Sequence, residues 1–147
     1  MKRTILLAED SENDVLLFRK AIERTGLPVS IQHVQDGEEL MEYFQGKGKF
    51  SNRTRHPLPF LVLLDLKMPK KDGFDVLAWI RSQSHLKRLP VIIFSSSRQI
   101  NDVNRAYDLG ANSYLTKPSE FAELTEILSI VVQYWSDFSQ HPDIETI

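Results

Sequence analysis

The chain has 147 residues, 41% of them hydrophobic, which fits one globular domain with a full core and excludes a disordered chain or two ordinary domains. Eighteen basic residues against twenty acidic give a formal charge of −2, without the basic excess of a nucleic-acid binder. The absence of cysteine removes disulfides, thiolate metal sites and cysteine nucleophiles, and it suits a reducing cytoplasm.

Met1-Lys2-Arg3 is followed by a short apolar run, Ile5 to Ala8, and then by Glu9-Asp10, so a signal peptide is not expected. Along the chain, short apolar runs alternate five times with amphipathic stretches. The first strand is expected over Thr4 to Ala8, and Val15, Phe18, Ala21 and Ile22 then recur at helical spacing. Ser11 can cap that helix with Asp14 three residues on, and Gly26 marks its end. Val29 to Val34 reads as the second strand, and Asp36, with Glu39, can cap a helix carrying Leu40, Met41 and Phe44.

From Gly46 to Pro59 no period is present, and Lys47, Lys49, Arg53 and Arg55 occur without an acid, which reads as an exposed basic loop. Phe60 to Leu64 is apolar throughout and reads as a strand buried on both faces. The window Leu58 to Met68 carries Asp65 and Lys67 and is too short to span a bilayer. Phe74, Leu77 and Ile80 mark the third helix, and Val91 to Phe94 the fourth strand. Val103, Ala106 and Tyr107 mark the fourth helix before Gly110, and Ser113 to Leu115 the fifth strand. Leu124, Ile127, Leu128, Val131 and Trp135 outline a last helix whose end is crowded with Tyr134, Trp135 and Phe138. The pattern predicts an α/β fold, a doubly wound five-stranded parallel sheet with five helices. Residues 1–138 form the expected domain and 139–147 a short mobile tail, with no output domain and a cytoplasmic location away from membranes.

In an open parallel sheet functional groups collect beyond the carboxyl ends of the strands. Those ends carry Glu9 and Asp10, Asp65, Ser95, and Lys117. Three carboxylates together repel one another and call for a hard cation or a raised pKa, and with oxygen donors alone Mg²⁺ is the natural ion. The lysine and the hydroxyl suit a phosphoryl group.

These residues stand in a recognisable frame. The acidic pair Glu9-Asp10, Leu64-Asp65-Leu66-Lys67-Met68-Pro69 with Asp72-Gly73, Pro90 to Ser95, and Gly110-Ala111 leading to Tyr114-Leu-Thr-Lys117-Pro118 resemble the CheY-like receiver domain of two-component response regulators. The resemblance implies a flavodoxin-like strand order 2-1-3-4-5. It implies that Asp65 accepts a phosphoryl group, that Glu9, Asp10, Asp65 and the backbone carbonyl of Lys67 hold Mg²⁺, and that Lys117 contacts the phosphoryl oxygens. Ser95 and Tyr114 would be the switch pair. The protein would then be a phosphoacceptor that promotes its own phosphorylation and dephosphorylation, rather than an enzyme. Its partner would be a sensor histidine kinase or a histidine phosphotransfer protein.

The segment Met68 to Gly73, the long basic loop and the Tyr134-Trp135 ending are similar to response regulators that partner bacterial and cyanobacterial phytochromes. The kinase expected on that basis is a bacteriophytochrome, and a homodimer through the C-terminal helix face is expected with it. Lys67 and Ser97 occupy positions that tune loss of the phosphoryl group in the family. Neither carries a carboxylate or carboxamide to orient water, so a long-lived phosphoryl form is expected.

Three other readings fare worse. An aspartate-nucleophile phosphohydrolase needs a second acid two residues after Asp65, where Lys67 stands. Gly46-Lys47-Gly48-Lys49 lacks the spacing of a phosphate loop. Nucleic-acid binding would rest on the basic loop alone, so no nucleic-acid partner is expected.

Overall fold

The computed structural model describes residues 2–144. Five strands, β1 (Arg3–Ala8), β2 (Val29–Val34), β3 (Leu61–Leu64), β4 (Val91–Ser95) and β5 (Ser113–Thr116), alternate with five helices. These are α1 (Glu12–Thr25), α2 (Gly37–Gln45), α3 (Gly73–Ser82), α4 (Ile100–Asp108) and α5 (Phe121–Gln133). The strands form one parallel sheet in the order β2-β1-β3-β4-β5, as expected. The strand ends differ slightly, since Phe60 lies just before β3, and β4 and β5 run one residue further, to Ser95 and Thr116.

The continuous apolar runs follow from burial on two faces, because successive strand side chains point to opposite sides. Leu6, Ala8, Val62, Leu64, Val91 and Ile93 pack against α2, α3 and α4. Ile5, Leu7, Leu61, Leu63, Ile92 and Phe94 pack against α1 and α5. Truncating one of these fully buried leucines or isoleucines to alanine costs about 2–5 kcal/mol.

Local signals place the helices. Ser11 accepts from the Asp14 amide at 3.2 Å and Asp36 from that of Glu39 at 2.8 Å. Asp72 and Asp75 form a reciprocal capping box at the start of α3. Gly26 closes α1 in the left-handed conformation, φ 69°.

The basic loop is exposed at Lys47, Lys49 and Arg55, as expected, but Phe50 and Arg53 depart from that reading. The loop holds a single 3₁₀ turn, Gly48–Phe50, and Phe50 is only 3% exposed. The Arg53 guanidinium donates to the carbonyls of Tyr43 (2.7 Å), Phe44 (3.3 Å) and Phe50 (3.2 Å), and it lies 5.5 Å from the Tyr43 ring centroid. Arg53 thus gives the Phe44 carbonyl, left without a backbone donor at the end of α2, a partner, and it adds a second bond to the Tyr43 carbonyl, which already accepts from the Gly46 amide. Tyr43, beneath it, is fully buried and donates to the Pro57 carbonyl at 2.6 Å. Burial pushes the Tyr43 phenol up to about 12, against the pull of Arg53.

After α5 the chain makes one wide π-turn, Tyr134–Phe138. Trp135 packs inward against the α1–α5 side of the core, while Ile130, Tyr134 and Phe138 are exposed. Of the segment 139–147, His141 stacks on Phe60 at 5.6 Å with its Nε2 2.6 Å from Arg3 Nη1, and Ile144 touches the core. Residues 145–147 lie outside the described residues.

Candidate functional site

The carboxyl ends of β1, β3, β4 and β5 deliver the expected groups to one edge. Glu9 and Asp10 leave β1, Asp65 follows β3, Ser95 ends β4, and Lys117 follows β5. Parallel register fixes these heights, with Ala8 level with Leu64 and Ser95 level with Thr116. Backbone bonds carry the pairing just past the strand ends, from Asp65 N to Ala8 O at 3.0 Å and from Lys117 N to Ser95 O at 2.8 Å.

Carboxylate oxygens of Glu9, Asp10 and Asp65 lie within 4.8 Å of one another. Asp10 is exposed, whereas Glu9 and Asp65 are 3% and 7% exposed. Lys117 reaches into the cluster, donating to Glu9, to Asp65 Oδ2 at 3.2 Å and to Asp14 Oδ2 at 3.4 Å. Burial works against the Lys117 ammonium, but Glu9 and Asp65 outweigh it and hold its pKa above the ordinary value. Glu9 is pushed up to about 7, first by burial and then by the Asp65 charge, despite its bond to Lys117. Three oxygen donors converging without histidine or cysteine fit a hard divalent cation that keeps part of its water shell.

The close approach of α3 to Asp65 depends on Gly73. A Cβ there would lie 2.4 Å from the Asp65 carbonyl oxygen and 2.7 Å from Leu66 Cα, and the Gly73 amide donates to Leu66 O at 2.9 Å. Lys67 points its side chain to solvent while its amide reaches Asp65 Oδ1 at 3.5 Å. Beside Asp65 opens a cleft of about 510 Å³ with Asp10, Lys67, Ser97 and Asp102 in its walls.

Ser95, 1% exposed, accepts from the Ser97 amide at 3.2 Å. The Tyr114 hydroxyl donates to Ser97 O at 2.9 Å, so the expected switch pair meets at one residue of the β4–α4 connection. Ser97 in turn donates to Asp102 Oδ2 at 2.6 Å.

Three participants were not singled out from the sequence. Asp14 has its side chain on Lys117 instead of closing a capping box. His33 places Nε2 2.7 Å from the Glu9 carbonyl oxygen, and Asp102 holds Ser97. A carboxylate one turn into α1, on the side facing β5, is the signal that would have found Asp14. Nothing in the sequence around His33 or Asp102 marks either contact.

Among the described residues no helix is long and apolar enough to cross a membrane. The model of the response regulator receiver domain matches residues 5–129. The chain is 35% identical over 133 residues to the response regulator Rcp1 of Synechocystis, covering 90% of this chain and 88% of that protein. It is 35% identical over 141 residues to a probable methanogenesis regulatory protein, FilR2, of Methanothrix harundinacea, covering 94% and 86%. The phosphorylated cyanobacterial phytochrome response regulator RcpA superposes with a TM-score of 0.88 at 36% identity, covering 97% of this chain and 100% of that one. The Mn²⁺-bound form of Rcp1 gives 0.84 at 34%, covering 95% and 99%. The chain belongs to the response regulator receiver family.

Proposed function

We propose that this receiver accepts a phosphoryl group on Asp65 from a sensor histidine kinase of the phytochrome type, with Mg²⁺, and switches a protein-binding surface. The observation that carries the reading is the meeting of Glu9, Asp10 and Asp65 within 4.8 Å, with Lys117 Nζ 3.2 Å from Asp65 Oδ2. The Mn²⁺-bound relative supports a divalent ion, and the phytochrome regulator matched along its whole length supports the kinase class.

A carboxylate oxygen of Asp65 attacks the phosphorus of a phosphohistidine. The P–N bond breaks, the imidazole leaves with the electron pair, and an acyl phosphate remains on Asp65. Positioning and charge neutralisation carry such a step. Glu9, Asp10, Asp65 and the Lys67 carbonyl would hold Mg²⁺, which supplies positive charge against the phosphoryl oxygens when bound. Lys117 adds a second positive charge from the β5 side. The new oxygens then compete for the Ser95 hydroxyl, and Ser95 is tied through the Ser97 amide to the residue that anchors Tyr114. Phosphorylation thereby biases the β4–α4 connection and the ring of Tyr114 as a population shift.

The Ser97 hydroxyl, spent on Asp102, is a poor guide for an attacking water, which supports a long-lived phosphoryl form. A homodimer would use the exposed Ile130, Tyr134 and Phe138 of the C-terminal face. The central test is intact mass after incubation with acetyl phosphate and Mg²⁺. One phosphoryl adduct, lost in Asp65→Asn and with a chelator, is expected, and an adduct retained in Asp65→Asn would refute the assignment. Transfer from a bacteriophytochrome kinase, compared with an unrelated histidine kinase, tests the partner class.

A further inference from the structure

The amino ends of the strands, at the edge of the sheet remote from Asp65, frame a groove of about 550 Å³. At about 3.3 Å per residue, the length of β1 puts this groove some 20 Å from the phosphorylation site. Lys2, Arg3, Arg53 and Arg55 line it, and no carboxylate does. None of these four cations forms an ion pair among the described residues, although the chain as a whole carries a slight negative charge.

Two of the four are fixed by uncharged partners. Arg53 is committed to the end of α2, and Arg3 Nη1 is held by the Ser136 carbonyl and the His141 ring. The Lys2 and Arg55 side chains are exposed at the rim and have no partner among the described residues. Gln32 fastens the Arg55 backbone by donating to its carbonyl at 2.9 Å, which sets the base of that side chain. Thr4 and Ser30 add hydroxyls, and Leu58 and Phe60 form an apolar wall with Arg3 5.9 Å from the Phe60 ring centroid.

The geometry points to a second binding site here, for a small organic phosphate monoester. A phosphate dianion matches these two cations, and the Arg55 guanidinium can pair with its oxygens in forked geometry while Lys2 adds a point charge. The volume lies in the range of small-molecule sites, and the apolar wall takes the organic part that inorganic phosphate lacks. The site is independent of Asp65 and needs neither metal nor phosphorylation.

The test uses AMP as probe, with adenosine and inorganic phosphate beside it, in the full chain carrying Asp65→Asn with EDTA present. Amide chemical shifts are followed by NMR. Saturable shifts at Thr4, Ser30, Gln32 and Phe60 are expected for AMP, with Kd at about 1 mM or below. Adenosine should give none and inorganic phosphate weaker ones, and Lys2→Gln with Arg55→Gln should weaken AMP about tenfold. The proposal is overturned if AMP gives no saturable shifts, if adenosine binds equally well, or if the double variant binds AMP unchanged. Shifts confined to the Asp65 edge would overturn it too.

Discussion

Gly73→Ala tests how closely α3 must approach Asp65, the proposed phosphoacceptor. The new methyl carbon would sit 2.4 Å from the Asp65 carbonyl oxygen and 2.7 Å from Leu66 Cα. Comfortable nonbonded contact begins at roughly 3.5 Å, and both obstructing atoms are backbone. No side chain can swing away, so the β3–α3 connection must shift by about an ångström. Overpacking of this kind costs about 1–3 kcal/mol, which for a chain of this size lowers Tm by roughly 3–10 °C. A displacement of that size at a reacting group can slow its reaction by about a hundredfold. Gly26→Ala is the control. Its φ of 69° strains an alanine by about 1–2 kcal/mol, yet nothing lies within 4 Å of the added carbon. Both variants should lose stability in urea melts followed by circular dichroism. Only Gly73→Ala should lose at least tenfold in the rate of acetyl phosphate labelling read by intact mass. Equal labelling rates in the two variants would refute the reasoning.

The raised pKa of Glu9 gives a signed pH effect in the metal-free protein. Between its ordinary 4.5 and about 7 the folded chain keeps a proton that the unfolded chain has released, so this group's contribution to stability falls as pH rises through that window. The loss amounts to about 3 kcal/mol at most, seen as a difference in urea midpoints between wild type and Glu9→Gln in EDTA, and a difference of opposite slope would refute it. Arg53→Ala should cost about 1–3 kcal/mol by leaving the Phe44 and Phe50 carbonyls without the guanidinium, with the labelling rate of Asp65 unchanged. If the proposed homodimer forms through the C-terminal face, wild type should sediment as a dimer and Tyr134→Ser with Phe138→Ser as a monomer, and a dimer that survives puts the contact elsewhere. Asp102→Ala, by freeing the Ser97 hydroxyl, should shorten the lifetime of the phosphoryl form, and an unchanged decay of labelled protein would count against that role.

The central strands were legible because burial on both faces leaves a continuous apolar run that little else produces, whereas the edge strand β2 carries Ser30, Gln32 and His33 and still matches its expected bounds, Val29–Val34. The site was legible because parallel register converts strand ends into neighbours. What the sequence hid are contacts without a period. Phe50 is buried in one aromatic cluster and the half-buried Arg53 is held by backbone carbonyls, contacts that follow no period, so the segment from Gly46 to Pro59 looked like solvated loop. Asp14 stood where a capping partner belongs, and sequence spacing cannot say whether its carboxylate turns back to the helix start or across to Lys117. Trp135 fell in an aromatic ending whose inward and outward members depend on a π-turn that follows no 3.6-residue pattern.

Every pairing in the sheet is parallel, and the groups at its edge come from β1, β3, β4 and β5. Pairings of this kind close long loops and form slowly, and the domain they build is complete only when its last strand has paired. Lys117 is translated last of the site residues, 52 positions after Asp65. A chain whose fifth strand has not docked therefore presents carboxylates without the ammonium that balances them, and under the proposed function it would be a poor acceptor. On the proposed function, a phosphoryl group on Asp65 would also be a certificate of completed folding, restricted to molecules whose fifth strand has docked.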